Sequence, residues 1–294
     1  MKTLEELRPQ IKDMESMPSV SAIVQPLAAM LRLPPDQVQL ERVVELVSYD
    51  AGIAAQCLRM SNSPLFGRRN TETVRNAVLA LGFKRVEAML LGCCVGRIVP
   101  PDKWALDAVT FWRHSLGCAL VSHKLAKLIG YPDPEKAYLA GLLHDVGIVV
   151  NTVACTEEYR ECIQAARSAQ VSLHQSEKQH LGFTHAQSGK ILAEAWHFSA
   201  DLIEVVESHH DIAAFSAARP LLSLVHLSDL LCRLRDLGYG YYEAMVVDLG
   251  RDAAWATLVE QYPALAAMDL ARLTMDIDGA MDEIIEIVDA VFRP

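Results

Sequence analysis

Basic charge is in short supply in this chain of 294 residues: 27 Lys and Arg stand against 37 Asp and Glu, a formal net charge of −10. An acidic surface argues against binding a phosphate backbone, because that affinity rests on Lys/Arg neutralisation. Nucleic acid is therefore not an expected partner, although a small anionic ligand remains compatible where a metal supplies the positive charge. Long apolar runs are missing too. The most apolar stretches, residues 88–99 and 148–153, fall short of the roughly 18 residues that a bilayer span needs. The start, MKTLEELRPQ, lacks a basic-then-apolar signal pattern. A cytoplasmic protein with no membrane association is expected. CxxC pairs are absent: Cys57, Cys93, Cys94, Cys118, Cys155, Cys162 and Cys232 are scattered. An odd, dispersed set reads as reduced, mostly buried thiols, and adjacent Cys93-Cys94 has poor geometry for a bridge. No Ser-His-Asp arrangement or phosphate loop stands out, since Gly182 and Gly189-Lys190 are wrongly spaced for GxxxxGK. No 20–50-residue period recurs and no low-complexity linker interrupts the chain.

What is present is apolar and helical in character. With 51% hydrophobic and 22% charged residues, wholesale disorder is excluded. Leu, Ala and Val dominate and β-branched alternation is scarce, which predicts an all-α fold. The clearest punctuation is Pro100-Pro101-Asp102. It divides an N-terminal helical lobe, residues 1–100, from a C-terminal helical bundle, residues 101–235, with closing helices over 236–294. In the first lobe, helices are predicted over 3–14, 20–31, 39–48, 50–61, 71–80 and 82–97, with Asp50 and Thr71 as caps. In the second, a long helix runs from about 103 to 129 and stops at Gly130 with Pro132 beyond. Asp133-Pro134 opens the helix of AYLAGLLHD, which Gly147 ends or bends. Thr184-His185-Ala186-Gln187 is a capping box. Ser199 or Asp201 starts LIEVVESHH, and Pro220 opens LLSLVHLSDLLCRL.

Ten histidines give the chain its chemical possibilities. His144 and Asp145 close one helix, and His209-His210 close another. Helix C-termini carry partial negative charge and favour a cation. Taken alone, each pair also reads more plainly as a polar helix end. His114 shares a face with Gly117, Cys118, Val121 and Leu125, an inward face with small residues; His123, nine residues on, is expected to face solvent. His185 lies in the first turn of the capping-box helix. Asp229 lies on the face of Leu222, Val225 and Cys232, where a lone carboxylate needs a partner, and His226 is a second-rank candidate one turn earlier. His174, His180 and His197 read as loop or helix-end residues. Together these give an ordered set of His, His-Asp, His, His-His and Asp on helices. Such mixtures of imidazole and carboxylate suit divalent Fe, Mn or Zn. A carboxylate such as Asp145 can bridge two ions, and two-metal sites suit phosphoester hydrolysis.

This order resembles the HD superfamily of metal-dependent phosphohydrolases. Wider context resembles its HDOD branch, the HD-related output domains of bacterial signalling proteins. The resemblance rests on AYLAGLLHDVG, on Glu177 before HLGFTHAQSGKILAEAW, on the helix ending SHH, on YDAGIAAQCLRMSNSPLFG with its Asn62-Ser63, and on NAVLALGFKRV with Leu81-Gly82. It covers about residues 17–235. It implies an N-terminal helical lobe packed on an HD-like bundle. It also implies a site of His114, His144, Asp145 and Asp229, with His185, His209 and His210 at a second ion bridged by Asp145. The chain departs from the cyclic-di-GMP phosphodiesterase branch in two places. Ile148 stands where that branch has a lysine, and DIAAFSAARP stands where it has Gly-Tyr-Pro; GYGYY at 238–242 comes too late and lacks the proline. Asp50-Ala51 replaces the usual Asp-Pro, and a proline expected near Ser21 is absent. The expected function is a regulator that keeps an HD-type metal or ligand pocket and takes input from a protein partner or small anionic ligand. The alternative is a metal-dependent phosphohydrolase acting on a cyclic dinucleotide or nucleotide.

Overall fold

The computed structural model describes residues 3–16, 37–48, 51–62, 71–99, 103–212, 219–239, 251–266 and 270–292, and among them it is all helix with no strand. The elements are α1 (Leu4–Ser16), α2 (Leu40–Ser48), α3 (Ala51–Ser61), α4 (Val74–Leu81), α5 (Phe83–Ile98), α6 (Ala108–Ile129), α7 (Pro134–Leu143), α8 (Val146–Ala154), α9 (Thr156–Ala169), α10 (Leu173–His180), α11 (His185–Ala195), α12 (Ala200–Ser208), α13 (Arg219–Leu234), α14 (Ala253–Gln261), α15 (Pro263–Ala266) and α16 (Leu270–Phe292). The helix predicted over 20–31, the cap Asp50, Ser63, the Pro100-Pro101-Asp102 punctuation and most of DIAAFSAARP lie outside the described residues.

The elements start where capping chemistry dictates. Asp107 accepts from Thr110 N at 2.7 Å, so α6 begins at Ala108 and not near residue 103. Thr73, not Thr71, caps α4. Thr71 is instead tied back to Asn62, whose side chain bonds both its carbonyl and its amide at 2.9 and 2.7 Å. Asp133 caps α7 with Pro134 in its first turn, and α6 stops at Gly130 in the left-handed region. The expected capping box of α11 is complete. α9 and α10 form where no element is predicted, and His174 stands in the first turn of α10, the helix-end place expected of it.

The core runs through the second half around α6, which packs on α7, α13 and α16. Phe111, Tyr138 and Tyr159 are among its largest fully buried side chains. α8 packs on α11, and α11 on α12; α1 reaches across to α8 and α11. Pro134–Ala154 is long and apolar enough to cross a membrane by length and composition, more than the two short stretches suggest, but 94% of its window is buried within the bundle. The chain turns at His144-Asp145 between α7 and α8. Two glycines permit the close approaches that frame this turn. A Cβ on Gly141 would stand 2.6 Å from Cys118 O, and one on Gly147 only 1.7 Å from His185 O. Gly147 therefore neither ends nor bends a helix; it lies inside α8 and lets that helix press Asp145 against the start of α11.

Candidate metal centre

Five elements deliver the sequence-predicted residues to one place. His114 comes from the middle of α6, His144-Asp145 from the α7–α8 turn, His185 from the first turn of α11, His209-His210 from the end of α12, and Asp229 from α13. His114, His144, Asp145, His185, His209 and Asp229 are buried, while His210 is partly exposed.

The imidazoles are oriented by acceptors that cannot donate. Nδ1–H of His114 donates to Leu237 O at 2.7 Å, that of His144 to Gly141 O at 2.8 Å, and that of His209 to Val206 O at 3.0 Å. His185 donates from Nδ1 to the Glu177 carboxylate at 2.6 Å. In a neutral imidazole a proton on Nδ1 leaves a lone pair on Nε2. Four Nε2 atoms converge on Asp145. Nε2 of His185 and of His209 each lie 3.2 Å from Asp145 Oδ1. On the other oxygen, Nε2 of His144 is 3.2 Å and that of His114 is 3.6 Å from Oδ2. His210 Nε2 faces His185 Nε2 at 2.9 Å. Ring nitrogens this close to a carboxylate need a proton or a cation between the two.

The charges respond to this crowding. Burial alone would raise the Asp145 carboxyl, but the imidazoles of His144, His185 and His209 hold it well below the ordinary range. Burial lowers His185, yet the Glu177 and Asp145 carboxylates override it and lift the imidazole to about 10. Burial, with neighbouring imidazolium charge, pushes His209 down to about 4 and His210 well below its ordinary value.

The donor set fits a divalent cation. Among the described residues two groups have ligand atoms close enough to share an ion: Asp145, His185, His209 and His210, and His114, Cys118, His144 and Asp229. His144 Nε2 and Asp145 Oδ1 are buried without a hydrogen-bond partner, as vacant ligand atoms would be. The two groups meet at opposite oxygens of Asp145. They are not equivalent, because Arg233 grips Asp229, its Nε donating to Oδ1 at 2.7 Å and its second nitrogen pairing with Oδ2. A cation beside Asp229 shares that carboxylate with a guanidinium, whereas the His185 side carries no such competitor among its described partners.

Several residues here were not singled out from sequence as site residues. Glu177 is fully buried and also accepts from the His185 amide at 2.9 Å and from Tyr159 OH at 2.7 Å. Tyr239, dismissed with GYGYY, donates to Asp145 Oδ2 at 2.7 Å and lies against the His114 ring, centroids 4.5 Å apart. Cys118 was legible as the i+4 neighbour of His114, and Arg233 as the i+4 neighbour of Asp229; nothing local announces Tyr239. His174 has its ring 4.8 Å from that of His210, and burial pushes it down to about 3. His226 donates to His209 O at 2.8 Å and supports the site from behind. His123 is turned away from the centre, as expected, but not into solvent: it is largely buried, and Arg85 of α5 donates to both its ring and Glu135 at 2.7 Å.

An all-helical fold around a convergent His/Asp centre defines the HD-like class. The HDOD domain model matches residues 17–212, and the chain belongs to that family. It is similar over 99% of its length to a Geobacter sulfurreducens structure described as an HDOD domain protein with unknown function, at 26% identity, TM-score 0.81 and 98% of that chain. Two further structures share the fold. One is from Shewanella amazonensis SB2B, provisionally described as a phosphohydrolase, at 22% identity and TM-score 0.70, covering 97% of each chain. The other is from Marinobacter aquaeolei VT8, provisionally described as a signal transduction protein, at 21% identity and TM-score 0.71, covering 100% of this chain and 62% of that one. An uncharacterised protein of Treponema pallidum is 25% identical over 202 residues, 68% of this chain. The chain spans 39% of the length of that relative.

Proposed function

We propose that the chain is a signal-transduction regulator whose His/Asp centre holds divalent metal as a structural or signalling element and not as an efficient hydrolytic site. The observation that carries the metal reading is the convergence of four Nε2 atoms on the two oxygens of a buried Asp145. His185, His209 and His210 with Asp145 Oδ1 would hold one cation. His114, His144 and Asp229 with Oδ2 form the second candidate set, where Arg233 competes. A bound divalent ion would supply concentrated positive charge and Lewis acidity. Glu177, Gly141 O, Leu237 O and Val206 O fix ring orientation, the role that outer partners play around metal ligands.

Burial favours regulation over turnover. Among the named donors of the first set only His210 is partly exposed, and Tyr239 occupies Asp145 Oδ2. Ile148, at the position of the lysine in the phosphodiesterase branch, is fully buried and apolar. Phosphohydrolysis of a cyclic dinucleotide or nucleotide is the second reading, favoured by the bridging position of Asp145 between two donor groups. Input would come from a protein partner or a small ligand.

The test is to purify the chain without a metal-chelating tag and measure Fe, Mn and Zn. Hydrolysis of cyclic-di-GMP and of a generic phosphodiester is then assayed with added Mn. The proposal expects bound metal and no turnover above buffer. Protein that is metal-free and cannot be reconstituted would remove both metal readings. Turnover that disappears in Asp145→Ala would establish the hydrolase instead.

A further inference from the structure

The two donor groups of the His/Asp centre differ in kind. The group around His185 offers imidazole and carboxylate, and the group around His114 adds the Cys118 thiol. Cys118 follows His114 by four residues on α6, so the two side chains leave one face of that helix a turn apart. Gly141 lets α7 close onto this face: a Cβ there would stand 2.6 Å from Cys118 O and 2.8 Å from Ser122 Oγ. Three residues on, the His144 ring is held by its own Nδ1–H donating back to Gly141 O at 2.8 Å. Asp229 completes the group from α13.

The spacing is that of a small tetrahedral ion. Cys118 Sγ lies 3.5 Å from His114 Nε2, and Asp229 Oδ1 lies 3.2 Å from the same nitrogen. Bonds of about 2.3 Å to sulfur and about 2.0 Å to nitrogen and oxygen, set at tetrahedral angles, separate sulfur from nitrogen by about 3.5 Å and nitrogen from oxygen by about 3.3 Å. The four ligand atoms all lie within 4.8 Å of one another, and all four residues are buried, the setting of a closed structural zinc. His144 Nε2, the fourth atom, is buried without a hydrogen-bond partner. Charge gives the sulfur a part to play. Arg233 already pairs with Asp229, Tyr239 donates to Asp145 Oδ2, and imidazoles bring no negative charge. A thiolate supplies what a divalent ion lacks on this side. Burial pushes the Cys118 thiol well above its ordinary value, so without a cation it is neutral; a coordinating metal deprotonates it outright.

The geometry points to Cys118 as a thiolate ligand that, with His114, His144 and Asp229, makes this half of the centre a zinc-selective site. The assignment rests on the reading that the His/Asp centre holds metal, and it adds which ion this half selects. The S–Zn bond forms as the thiol proton is released to solvent. Thiolate donors favour zinc, whereas carboxylate and water donors suit manganese. Cys118 therefore sets the half around His114 apart from the half around His185, which carries no sulfur among its described donors.

The test is spectroscopic. The full chain is produced in medium where cobalt replaces the other divalent metals, so that the ion enters as the chain folds. Bound Co(II) absorbs in the visible through ligand-field bands whatever its donors, and a thiolate ligand adds an intense charge-transfer band in the near ultraviolet. The parent is expected to show both. Cys118→Ser should keep the visible bands and lose the near-ultraviolet one. Cys232→Ser, which removes the thiol hydrogen-bonded to Cys118, should keep both. Visible bands alone in the parent overturn the assignment and leave the metal reading standing, as does a near-ultraviolet band that survives Cys118→Ser. A chain that takes up no cobalt removes the metal reading and this assignment with it. If Cys118→Ser fails to fold, zinc-edge X-ray absorption of the zinc-loaded parent decides: a sulfur neighbour at about 2.3 Å supports Cys118, and a shell of nitrogen and oxygen alone overturns it.

Discussion

At the scale of single residues, Glu177 and Glu87 show two opposite fates of a buried carboxylate. Glu177 accepts from the His185 ring, the His185 amide and Tyr159 OH, so its charge is compensated and it fixes the tautomer of a candidate ligand. Glu177→Gln keeps the shape and removes the charge. If the centre holds metal, the variant should bind it about 10- to 100-fold more weakly, read by competition with a chromophoric chelator; unchanged affinity would reduce Glu177 to a packing role. Glu87, on α5, is buried with Oε1 unpartnered. Burial raises its carboxyl to about 7 from an ordinary 4.5, against a smaller lowering by Lys84. A folded pKa above the unfolded one means that the native state binds the proton more tightly. The stability linked to that proton is full below about 4.5 and is lost as pH rises through about 7. Glu87→Gln should therefore unfold at higher urea than the parent at pH 8, by on the order of a few kcal/mol at most, and match it near pH 4; coincident urea midpoints at pH 8 would refute the shift.

At the scale of elements, the α8–α11 contact decides whether the centre forms. Gly147 and Gly189 bring the two backbones together, Gly147 N lying 3.0 Å from the Cβ that Gly189 lacks, and this presses Asp145 toward His185. Gly147→Ala drives a methyl into His185 O. It should destabilise the chain by at least the ~1–3 kcal/mol typical of overpacking and, if the centre holds metal, lower metal content in parallel. A variant that melts and binds metal like the parent would show that α8 and α11 can part freely. Capping signals made many helix starts legible: Asp133-Pro134 and the Thr184 box stand where the sequence puts them. α6 and α4 start later than the sequence pattern predicts, because the Asp107 and Thr73 side chains take the capping hydrogen bonds. The inward faces of His114 and Asp229 followed from helical periodicity. Contacts across long sequence separation did not: Tyr239 reaches Asp145 from 94 residues away, and no local pattern encodes that distance. His123 was misjudged for the same reason, since Arg85, which holds it, belongs to another helix.

At the scale of the molecule, the His/Asp centre ties α6, the α7–α8 turn, α11, α12 and α13 to one carboxylate, so a cation bound there binds the folded chain and not the unfolded one. Linkage then makes metal a stability term. At a free concentration of 100 times its dissociation constant, a single ion stabilises the native state by about 2.7 kcal/mol. For a chain of this size each kcal/mol moves the midpoint by roughly 2–4 °C. Extensive chelation should thus lower the melting temperature by about 5–10 °C, and readdition of Mn, Fe or Zn should restore it. Asp145→Ala removes the carboxylate both candidate sites share, so its melting temperature should be indifferent to chelator and metal alike. Glu177→Gln should lie between the two, needing more metal to reach the same midpoint. If parent and Asp145→Ala respond identically to chelation, the ion stabilises the fold from elsewhere, and the convergence of imidazoles on Asp145 serves protonation and packing alone.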